Sequence, residues 1–141
     1  MKVINRPPWP SDAPVARQPS AEEHRLCELV NGSSAVAVQV SEHFPGYNLL
    51  EREVTLYSIH LDEFPPGSRL LLDDPLETPA LFPITCECEL SAICAFIADA
   101  YSHVYANAAS FGVSLHDLSD LVIEDLVYYP AERLLYPHIG S

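Results

Sequence analysis

Three of the four cysteines in this 141-residue chain, Cys86, Cys88 and Cys94, fall close together. On a strand, residues two apart share a face, and Cys94 lies one turn into the helix predicted next, so this reading makes the three thiols neighbours. With His103 or His138 as a fourth ligand they would form a tetrahedral zinc site, because thiolate and imidazole suit that ion. Recognised zinc modules carry two closely spaced ligand pairs, however, and only one pair is present here. The competing reading is three small apolar core residues, with Cys27 lining the first helix in the same way. No metal or cofactor is assigned on this spacing, and nothing in the sequence indicates the oxidising compartment that a disulfide framework needs.

Ser58, His60 and Asp62 have the residue types of a hydrolytic triad but alternate along one predicted strand. Residues two apart on a strand sit about 6.5 Å apart with parallel side chains, whereas a nucleophile and its base need about 3 Å. No Gly-x-Ser-x-Gly elbow exposes a serine. His116, Asp117 and Asp120 read as solvated residues around a helix start, where the dipole favours carboxylates, in preference to a metal site. The five glycines are too dispersed to cradle a phosphate. Catalysis has no positive support in the sequence, so a non-enzymatic role is expected.

The strongest chemical signal is collective. The chain has 20 acidic and 7 basic residues and a formal charge of −13. After Arg25 there are 17 acids against Arg52, Arg69 and Arg133 alone, a local charge of −14. Eight carboxylates (Glu87, Glu89, Asp99, Asp117, Asp120, Glu124, Asp125 and Glu132) share the last 55 positions with Arg133 as the only lysine or arginine. Local pairing cannot neutralise them, and the resulting field repels nucleic acid and anionic membranes while speeding encounter with a cationic partner. Tyr128, Tyr129 and Tyr136 are candidate anchors amid these charges, since a buried tyrosine combines contact area with a polar tip. The plainer reading is that acidity serves solubility and the tyrosines pack on the core.

The elements that must position these groups follow from periodicity. Pro7, Pro8, Pro10, Pro14 and Pro19 make residues 1–19 a proline-rich arm, leaving residues 20–141 as one domain. Ser20 and Glu23 have capping-box spacing, and Leu26, Leu29 and Val30 continue at helical intervals to Gly32, predicting a helix over 21–31. Residues 34–41 read as a strand with both faces partly covered, and 47–62 as one or two more. A short apolar run follows at 69–72, then a long exposed acidic loop over 73–83, then a strand from 82 to 90. Ile93, Phe96, Ile97, Ala100, Tyr101 and Val104 form the stripe of an amphipathic helix over 91–110, with Gly112 as its stop. Residues 121–129 and 134–139 predict a terminal hairpin, with Pro137 confining the last strand to an edge. The expected class is α+β: an antiparallel sheet packed by one main amphipathic helix, plus a short N-terminal helix and a C-terminal β-hairpin.

No run approaches the roughly 18 apolar residues of a membrane span, and the N-terminus lacks the apolar core of a signal peptide, so a cytoplasmic protein is expected. The leading expectation is an acidic inhibitor of the immunity or anti-defence type, of bacterial or phage kind. It would cover a basic protein such as a toxin, nuclease or nucleic-acid-binding complex, with nucleic-acid mimicry as one version. Its expected contacts are Asp73, Asp74, Glu77, Glu124, Asp125, Glu132 and the three hairpin tyrosines. The alternatives are an acidic, dimeric chaperone or adaptor for a secreted client, and a small metal-dependent hydrolase.

Overall fold

The computed structural model describes residues 19–32, 35–40, 44, 46–50, 64–87, 89–107, 111 and 117–140. The first helix, α1 (Ala21–Asn31), starts where the capping box places it. Glu23 N–H donates to Ser20 Oγ at 3.0 Å, and Ser20 N–H donates to Glu23 Oε1 at 2.8 Å, so two of the helix's orphan donors are satisfied reciprocally. Gly32 closes the helix in an extended conformation and not a left-handed one, its N–H reaching Leu29 O at 3.2 Å.

Six strands form one sheet among the described residues. They are β1 (Val38–Gln39), β2 (Tyr47–Asn48), β3 (Arg69–Leu72), β4 (Ala80–Pro83), β5 (Val122–Tyr129) and β6 (Leu134–Gly140). The order is β1-β5-β6-β3-β4, with β2 continuing alongside β5 beyond β1. All pairings are antiparallel except β3 with β6, where Arg69 pairs Leu134 and Leu70 pairs Leu135. The main helix, α2 (Leu90–Ala106), connects β4 to a 3₁₀ turn at Leu118–Asp120 that leads into β5.

Strand alternation sends side chains to two faces, and both faces are covered. Leu70, Leu72, Phe82, Ile123, Leu126 and Leu135 pack with the buried stripe of α2. Leu71, Val127, Tyr129, Leu134 and Tyr136 pack with Leu26 of α1, against which Cys27, Leu29 and Val30 also rest. The fold class is thus the expected one: a mostly antiparallel sheet, a packing helix, a short N-terminal helix and a C-terminal hairpin.

Several local expectations are corrected. The segment around β1 is more open than the partial cover expected for it, with Val36 77% and Val38 50% exposed along the sheet margin. The acidic loop is shorter and less exposed than expected: Ala80–Pro83 is a strand, recruited by pairing with β3, and Leu76 and Thr78 are buried. Among the described residues no strand continues past Pro83; the chain bends at Cys86, and α2 begins at Leu90. That helix ends at Ala106, with Asn107 Nδ2 capping His103 O at 3.0 Å, so Gly112 is not its stop. Strand β6 is interior where Leu134 and Leu135 pair β3; Pro137 lies just past that pairing and faces only Leu126 of β5 in the ladder. The arm apart from Pro19, most of the strand expected over 47–62 and the triad-like residues Ser58, His60 and Asp62 lie outside the described residues.

Candidate functional site

Charge is divided along the strand direction. The three arginines among the described residues, Arg25, Arg69 and Arg133, gather at the end of the sheet that carries the β5–β6 turn. Arg69 N–H donates to Arg133 O at 2.9 Å, and Arg133 Nη1 donates to Pro66 O at 2.7 Å. Arg25 pairs with Glu22 at 2.6 Å and Glu132 at 3.0 Å, and Arg69 reaches Glu22 at 3.2 Å. The Arg25 guanidinium, with Arg69 beside it, holds the Glu22 carboxyl below the ordinary carboxylate value. Glu132 therefore belongs to this compensated end, where β4 also finishes before the chain passes through Glu87 and Glu89 into α2.

The opposite end is anionic. Residues 73–79 link the end of β3 to the start of β4, which places Asp73, Asp74 and Glu77 there together. The loop is fixed from below: Tyr101 Oη donates to Asp74 O at 2.6 Å, Leu76 N–H to Asp73 O at 2.8 Å, and Thr78 N–H to Phe111 O at 3.2 Å. Asp117 and Asp120 arrive through the 3₁₀ turn beside the last turn of α2, where Tyr105 lies within electrostatic reach of Asp117, Asp120 and Asp74. Burial first, and these carboxylates second, push the Tyr105 hydroxyl above its ordinary value.

Glu124 and Asp125 complete the set through a β-bulge. Ile123 pairs Ile139 and Asp125 pairs His138, so Glu124 is the extra residue that re-aims this part of β5. Its side chain lies over Gly140, where a Cβ would collide with it, so glycine is what admits the carboxylate there. The parallel β3–β6 register, carried forward along both strands, brings Asp73 level with His138 and hence with Asp125.

None of these seven carboxylates is paired with a lysine or arginine among the described residues. Among the described residues, hydrogen bonds to them come from neutral donors: Asn31 Nδ2 to Asp73 at 3.2 Å, and Gln39 Nε2 at 3.1 Å and Leu126 N–H at 2.8 Å to Asp125. Both helices also direct their C-termini here. Asn31 ends α1 against Asp73, and the last turn of α2 meets the Asp117–Asp120 turn. Each helix C-terminus carries about half a negative charge. The last turn of α1 has no basic residue, and that of α2 has only His103. The fold thus adds backbone dipoles to side-chain charge of the same sign.

The hairpin tyrosines are not part of this exposed surface. Tyr128 is 7% exposed, stacks on Phe64 with centroids 4.9 Å apart, and lies 2.7 Å from Ser68 Oγ. Since the Ser68 hydroxyl donates to Pro65 O, the tyrosine donates to Ser68. Tyr129 and Tyr136 are buried under α1, where they hold the sheet to that helix. Asp117 and Asp120, which sequence reasoning set down as solvated residues, are the members of the anionic end it did not single out for binding.

Of the three thiols expected together, Cys94 is buried in the core with Cys86 packed close to it. Cys86 follows the end of β4 and is not on a strand, and Cys88 lies outside the described residues, as does His116. Cys94 and His103 are nine residues apart on one helix, roughly 13 Å of axial rise, too far to share an ion. His138 is on the anionic end, its ring edge-to-face with Tyr136. Among the described residues no group of three or more His, Cys, Asp or Glu side chains is arranged to hold a metal.

Burial pushes the Cys94 thiol up to about 12 from an ordinary 9.0. The unfolded chain then ionises first, so this group's contribution to stability is complete below pH 9 and is lost as pH rises toward 12. Native Cys94 is expected to resist iodoacetamide at pH 8 and to be alkylated at once in denaturant, read by intact-mass spectrometry. Rapid native labelling at Cys94 would show that the thiol is not buried as described.

No described helix is long and apolar enough to cross a membrane. No protein-family profile matches the sequence, and neither curated proteins nor solved structures give a match to it. The functional reading accordingly rests on geometry.

Proposed function

We propose that this chain is a non-catalytic, cytoplasmic inhibitor or immunity-type protein that docks its anionic end onto a basic patch of another protein. The observation that carries this reading is the polarity of the fold. Arginines compensate Glu22 and Glu132 at the hairpin end, whereas Asp73, Asp74, Glu77, Asp117, Asp120, Glu124 and Asp125 stand at the other without a described arginine or lysine. A solubilising surface needs only dispersed charge; concentrating one sign at one end costs self-repulsion and produces a directed field. Docking would pair these carboxylates with lysine or arginine side chains that otherwise contact phosphate, so the partner's nucleic-acid site is occluded. The free thiols of Cys27 and Cys94 fit a reducing cytoplasm.

Affinity capture from the source lysate, followed by salt titration, tests the proposal. The retained partner is expected to be basic, and its apparent affinity to fall steadily as screening shortens from about 30 Å at 0.01 M salt to about 8 Å at 0.15 M. Retention unaffected by salt, or capture of acidic partners only, would refute it.

A further inference from the structure

We draw no further inference here: the strongest candidate, the exposed apolar margin formed by Val36, Val38 and Leu50 where β1 and β2 flank β5, is a strand edge without a partner among the described residues, and nothing in the structure shows what covers it.

Discussion

Neutralising the five exposed carboxylates of the anionic end, with Asp74, Asp117 and Asp120 changed to Asn and Glu77 and Glu124 to Gln, is expected to weaken partner binding by roughly 5- to 4000-fold. Individual surface charge pairs contribute about 0.2–1 kcal/mol, and five together give about 1–5 kcal/mol, with about 1.4 kcal/mol to each factor of ten. Much of the loss should appear in the association rate at low salt, where long-range steering acts. The same variant should be as stable as the wild type or more so, because like charges have been removed and no described ion pair involves these residues. A paired control, Glu87→Gln with Glu89→Gln, removes charge ahead of α2, away from this end, and should change affinity by less than about threefold. Biolayer interferometry with the captured partner, together with thermal melts, separates the two effects. Equal losses in the five-site variant and the control would mean that net charge matters and its location does not.

Tyr101→Ala is expected to cost the fold about 3–5 kcal/mol, the range for truncating a large aromatic in a core. Tyr101 is fully buried, its ring lies in the cluster beneath α2, and its hydroxyl holds Asp74 O. For a domain whose total stability is about 5–15 kcal/mol, that loss approaches unfolding. Tyr101→Phe is the informative partner. It keeps the ring but leaves the Asp74 carbonyl without this donor, at a cost of about 1 kcal/mol. The loop carrying Asp73, Asp74 and Glu77 should loosen, so binding weakens modestly although no charge has changed. Urea unfolding orders the series, with alanine far below phenylalanine and phenylalanine slightly below wild type. If Tyr101→Phe left both stability and affinity untouched, the contact from α2 would not be what positions the acidic loop.

Local signals were readable wherever a few adjacent residues suffice to specify structure. Ser20 and Glu23 marked the start of α1 because a capping box is satisfied within three residues. The Ile93 to Val104 stripe marked α2 because its period is intrinsic to the helix. The hairpin followed from two apolar runs around Pro130, Ala131, Glu132 and Arg133. Non-local pairings left weaker traces. Ala80–Pro83 is short and bracketed by Pro79 and Pro83, so only its register with β3 makes it a strand. Pro137 suggested an edge, yet the two residues of β6 that pair β3 lie before it.

The tyrosines illustrate a different failure. Alternation correctly separates Tyr128 from Tyr129 on opposite faces, but helices cover both faces, so both parities are buried. Composition revealed the excess of carboxylates and not their position. It is the parallel β3–β6 pairing that brings the loop after β3 to the same end as the β5 bulge, and the direction of α2 that brings Asp117 and Asp120 to join them.

Hydrogen-exchange mass spectrometry of the wild-type protein with and without its captured partner probes the docking face directly. New protection is expected in peptides covering residues 73–79 and 117–126, with little change in those covering 130–134. Protection centred on the hairpin turn, with the anionic end exchanging as freely in the complex as alone, would contradict the account.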